Sequence, residues 1–108
     1  MGLDIEFRRV PAQAVDIVKL PIVDVDREVF VVESILDLRG EYELLNTVHL
    51  WFQDLGYNFD FSDGKQVIVS KDLFNHIKSK HQRIAWDNID QFFVDGDSRF
   101  VLIFWAWW

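Results

Sequence analysis

Cysteine is absent from this 108-residue chain, which removes disulfides, thiolate metal ligands and cysteine nucleophiles together. Proline occurs twice and glycine five times, and no linker, repeat or low-complexity stretch interrupts the sequence. Positive charge is scarce: 11 Lys and Arg stand against 18 Asp and Glu, for a net charge of −7. Phosphate repels such a surface, so direct nucleic-acid binding is disfavoured. No apolar run reaches the ~18–20 residues a membrane-spanning helix needs. The start, Met1-Gly2-Leu3-Asp4-Ile5-Glu6, lacks the basic-then-apolar order of a signal peptide, and Glu6 stands where a myristoylation motif wants Ser or Thr. These features set the expectation of a cytoplasmic protein with no membrane contact.

What is present is a large apolar fraction. Half of the residues are hydrophobic and 16% are aromatic, enough for one core without disulfide or metal staples. At this length the expectation is a single domain spanning residues 1–108.

The sequence punctuates itself into elements. Residues 2–10 alternate and predict a strand closed by Pro11. Residues 12–25 fit a short strand around Val15–Leu20, with Pro21 arguing against a long helix. Asp26 can cap a helix carrying Val29, Val32, Ile35 and Leu36, although the β-branched residues there make an edge strand the competitor. Residues 41–55 place Leu44, Val48, Trp51, Phe52 and Leu55 on one helical stripe, and Gly56 sits at the C-terminal cap position. Residues 57–61 and 66–69 read as two strands around the Ser62-Asp63-Gly64 turn. Ser70 caps a helix running to about Gln82, with Asp72 in its first turn and basic residues in its last. Asp95-Gly96-Asp97 predicts a turn before the final strand. The pattern predicts an α+β fold: a small antiparallel or mixed sheet with two or three helices packed on one side.

Few residues suggest chemistry. His76 and His81 lie about 140° apart around a helix and cannot share a metal, so no metal site is expected. The Asp60–Gly64 stretch imitates a calcium loop but has Gly at its fifth position and no Glu at its twelfth. No serine or threonine sits in a Gly-x-Ser-x-Gly elbow, and no glycine loop cradles phosphate. The basic cluster at residues 78–83 suits a helix C-terminus. Neither a cofactor nor a catalytic residue is expected.

The run from Phe100 to Trp108 is apolar throughout and holds three of the five tryptophans. A strand with one wet face alternates. This one does not, so protein is expected to cover both of its faces, either its own or a partner's. Trp105, Trp107 and Trp108 are therefore candidate binding anchors, and pairing of this strand across a homodimer is the self-assembly alternative.

Three motifs stand in a suggestive order: Met1-Gly2-Leu3-Asp4, then Asn46-Thr47-Val48-His49-Leu50-Trp51-Phe52, then Val69-Ser70-Lys71-Asp72-Leu73. In these the chain resembles a loose group of small phage and bacterial proteins that begin with Met-Gly-Leu-Asp and carry an Asn-x-x-His-x-Trp-Phe helix. The matched stretches cover under a third of the chain, and Glu41-Tyr42-Glu43 departs from the basic lead usual there. The resemblance implies a mobile-element origin and points to Asn46, His49 and Trp51. Asn46 and His49 are three apart on one helix face and can share a polar network. The combined expectation is an acidic, non-enzymatic protein that binds another protein. One such partner is a basic nucleic-acid-binding complex, inhibited in the manner of an anti-CRISPR, with Asp60, Asp63, Asp95 and Asp97 pairing its cations beside the Trp anchors. The alternative is a small enzyme or ligand-binding domain built on Asn46 and His49.

Overall fold

The computed structural model describes residues 2–58, 61 and 64–108. The apolar run forms β6 (Phe100–Trp107) and lies inside a six-stranded sheet. On one side it pairs with β1 (Asp4–Pro11), which pairs in turn with β4 (Glu33–Arg39). On the other side it pairs with β5 (Gln66–Ile68), followed by β3 (Ile22–Val25) and β2 (Val15–Lys19). Every neighbouring pair is antiparallel. The fold is α+β, as the sequence pattern predicts.

Three helices cover one face of this sheet: α1 (Tyr42–Asp54), α2 (Lys71–Lys80) and α3 (Asp87–Asp95). The period-two alternation of the strands sends Leu102, Phe104 and Ala106 of β6, and Ile5 and Phe7 of β1, toward them. Leu44, Val48, Phe52, Leu73, Phe74, Ile77 and Ile89 complete that core from the helices. Phe7 sits at its centre, edge-on to Trp86 at 5.6 Å and to Phe104 at 5.4 Å. Such edge-to-face contacts add about 0.5–1.5 kcal/mol beyond the area buried. The Ser70 cap forms as expected, its Oγ accepting from the Leu73 N–H at 3.1 Å. The helical stripe of α1 holds for Leu44, Val48 and Phe52, but Leu55 ends up 60% exposed. It lies past the last helical turn, beyond the reach of the sheet.

The opposite face has a smaller core. Val10, Ala14, Val23, Val25 and Ile103 are buried there beneath Phe30 and Val32. These two cores explain the unbroken apolar run, since alternate residues of β6 enter one or the other. Coverage of the second face stops midway, however. Trp105 is half-buried and Trp107 is 48% exposed, so the chain's own residues do not cover the second face at the end of the strand.

Three sequence expectations change. Residues 26–39 are not a helix: Asp26 Oδ1 accepts from the Glu28 and Val29 N–H groups at a turn, and the edge strand β4 follows. The β-branched residues there carry the higher strand propensity. Within residues 12–25 a single 3-10 turn, Ala12–Ala14, leads into a hairpin of two strands, where one short strand is expected from the pattern. Among residues 57–61, Tyr57, Asn58 and Phe61 lie outside regular structure, and the rest of that proposed strand falls outside the described residues. β6 itself pairs with β1 along residues 100–107 and with β5 at residues 103–105. The sheet edges are β2 and β4.

Candidate functional site

Residues two apart on a strand share a face, so Trp105 and Trp107 stand together on the helix-free side of β6. Their rings are parallel within 4°, with centroids 6.4 Å apart. That is close to the ~6.6–6.8 Å two-residue repeat of a strand, so the backbone sets the spacing of the indoles. Trp105 is flanked across the ladder by Glu6 of β1 and Gln66 of β5. Asp4 stands opposite Trp107, and Asp37 of β4 stands beside Glu6.

Arg8 holds this arrangement. It enters one step back along β1, opposite Ile103. Its guanidinium carbon lies 4.4 Å from the centroid of the Trp105 ring. Nη2 pairs with Glu6 Oε2 at 3.1 Å, and Nη1 donates to Gln66 Oε1 at 3.3 Å. The Arg8 side chain is only 5% exposed. Burial raises the Glu6 pKa, but hydrogen bonding and charge from Arg8 outweigh it and the net direction is down, keeping the pair ionised. Guanidinium, indole and indole follow one another along the strand. Gly64 lies against both indoles: at φ +70° it adopts a conformation costly for other residues. A Cβ there would also lie 2.9 Å from Trp107 Cε3 and 3.1 Å from Trp105 Nε1.

The remaining candidates are distributed elsewhere. Trp108 turns to the helix side, where it lines a shallow hollow of about 200 Å³ with Tyr42, Leu45, Asn46, His49 and Phe61. Asn46 and His49 are thus brought to a common surface. His49 stands edge-on to Phe61 at 6.5 Å. Trp51 faces away from them, stacking obliquely on His76 at 5.1 Å. It helps line a groove of about 550 Å³ between α1 and α2, with Leu50, Leu55, Asp54 and Lys80. Asp95 and Asp97 line a third hollow with Arg9, Phe92 and Arg99. Asp97 is clasped by Arg99 at 2.7 Å, whose hydrogen bonds take its pKa down to about 2. Asp95 accepts from Gln91 Nε2 at 2.7 Å. Asp95 and Asp97 therefore do not stand beside the tryptophans, and Asp60 and Asp63 lie outside the described residues.

His81 is buried, with Nε2 2.7 Å from Thr47 Oγ1. Because Thr47 also donates to the Glu43 carbonyl at 3.0 Å, its single proton is used. His81 must then present Nε2–H to that oxygen. Desolvation, helped by the nearby charge of Arg83, holds its pKa below the ordinary value.

Sequence reasoning missed Arg8, Glu6 and Gln66. A signal for the first two existed: a charged pair two apart on a strand whose other face carries Ile5 and Phe7 beside them. Among the described residues, no group of three His, Cys, Asp or Glu is placed to hold a metal ion, and no helix is long and apolar enough to cross a membrane. No known protein family, no curated protein and no solved structure matches the chain.

Proposed function

We propose that this is a non-enzymatic binding protein whose open sheet face docks onto a basic surface of another protein. One observation carries the reading: Trp105 and Trp107 form a parallel, half-exposed pair that Arg8 and Gly64 hold in place before any partner arrives. Rigid indoles lose little conformational entropy on binding, and Trp and Arg dominate binding energy at protein interfaces. Asp4, Glu6 and Asp37 border the pair, and the chain carries −7 overall. That favours cationic partners and speeds their encounter. Within this reading, the partner is a basic nucleic-acid-binding complex met in the cytoplasm, whose groove the acidic face occupies, as an anti-CRISPR of phage origin would.

Immobilised protein incubated with cell extract at low salt should retain basic proteins that Trp107→Glu does not. Added salt should release them, because the encounter is electrostatic. Equal recovery by the variant refutes the reading. The α1–α2 groove supplies the second reading, since about 550 Å³ falls within the range of small-molecule sites. The hollow beside Asn46 and His49, at about 200 Å³, falls below it.

A further inference from the structure

We infer that Trp107 and Asp4 form a seat for an arginine side chain presented by the partner, in register with the seat that Arg8 already fills. The inference rests on the sheet-face reading above and specifies its chemistry. The internal seat shows what a guanidinium needs here. Arg8 has an indole face at 4.4 Å and, on β1 directly across the ladder from that indole, the Glu6 carboxylate. One two-residue step further, the same pair of groups recurs: Trp107 on β6 and Asp4 directly across from it on β1. The antiparallel ladder repeats the geometry because both strands advance together.

The second seat differs in being partly open, with Gly64 against the six-membered ring of Trp107. Trp107 is 48% exposed, and among the described residues no cation lies over its ring. Among the described residues Asp4 has one ion-pair companion, Arg39 Nε at 3.5 Å, whose side chain is largely exposed. A solvent-facing pair of that kind contributes little and yields readily to a better-placed cation. Arginine suits the seat better than lysine, because a flat guanidinium covers an indole face and offers two parallel N–H groups to a carboxylate. A nucleic-acid base would also stack on Trp107, but its phosphates would meet Asp4, Glu6 and Asp37.

The test uses the full chain labelled with ¹⁵N and read at its tryptophan indole N–H resonances. The probe is a capped Gly-Arg-Gly peptide, with citrulline and lysine versions beside it. Citrulline keeps the plane and loses the charge. The arginine peptide should move the Trp107 and Trp105 signals and leave Trp51 and Trp86 in place. The lysine peptide should bind more weakly, and the citrulline peptide should not bind. Asp4→Asn should weaken binding up to about fivefold, the range of an exposed ion pair. Trp107→Leu should abolish binding with an otherwise unchanged spectrum, and Asp72→Asn should have no effect. Equal shifts with citrulline, shifts confined to other tryptophans, or no shift at all would overturn the inference. If partner capture depends on Trp107 while the arginine peptide has no effect, the arginine seat fails and the sheet-face reading stands. If capture is also indifferent to Trp107, both fail.

Discussion

Replacing Arg8 with methionine tests whether the tryptophan pair is held by a buried cation or merely rests on the sheet. Methionine preserves most of the apolar stem, so little cavity forms. What disappears is the ring contact at 4.4 Å, the hydrogen bond to Gln66 at 3.3 Å and the ion pair with Glu6 at 3.1 Å. A desolvated cation–ring contact contributes about 2 kcal/mol, and hydrogen bonds to charged groups about 1.5–3 kcal/mol before offsetting desolvation. The Glu6 side chain keeps 23% exposure, so water relieves part of the penalty of leaving it unpaired. The expected loss is roughly 2–4 kcal/mol, which for a domain of this size lowers Tm by roughly 8–16 °C. Urea titration followed by intrinsic fluorescence reads both quantities, and the emission of Trp105 should shift in the native baseline. Adding Glu6→Gln should cost less on the Arg8→Met background than alone, with a coupling of about 1 kcal/mol or more. A loss below about 0.5 kcal/mol with unchanged native fluorescence would refute the reasoning, since surface substitutions stay within that range.

Gly64→Ala should destabilise by over about 1 kcal/mol, because it combines a positive φ with a close approach to both indoles. Near-ultraviolet circular dichroism should show the coupling of the two rings disturbed. Ser70→Ala removes the acceptor for the Leu73 N–H and should cost about 1 kcal/mol in denaturant titration, with Ser70→Asp retaining most of the stability. His81 has a folded pKa below its unfolded value, so below pH 6.5 the unfolded chain binds the extra proton first. Stability should therefore fall as pH drops from 6.5 toward the folded pKa and level off beneath it. Midpoints measured across that window should show a flatter slope for His81→Gln. An unchanged slope would count against the buried neutral imidazole.

Much of the architecture was legible because local physics dictates it. Ser70 and Asp72 start α2, Gly56 supplies the positive φ just past the end of α1, and the stripe Leu44-Val48-Phe52 needs only a 3.6-residue period to declare a buried helix face. Residues 26–39 were ambiguous for a related reason. Their apolar spacing fits a helix, and their β-branched side chains fit a strand. The choice falls to β1, whose free edge offers residues 33–39 a ladder to complete. The candidate site was legible in one half. Tryptophans two apart on a terminal strand announce an aromatic pair, but not which face it occupies or what stands beside it. Glu6, Arg8 and Gln66 come from positions 6, 8 and 66, and only the pairing of β6 with β1 on one side and β5 on the other brings them together.

Composition and periodicity thus account for the α+β class, the end of α1, the start of α2 and the burial of residues 102–104, because each follows from interactions between residues a few positions apart. The order of the strands, the central place of β6, and the gap in coverage that leaves Trp107 beside Asp4 arise from contacts across the whole chain. Side chains that meet across a sheet share no local pattern, so their meeting is written in the ladder register rather than in either segment.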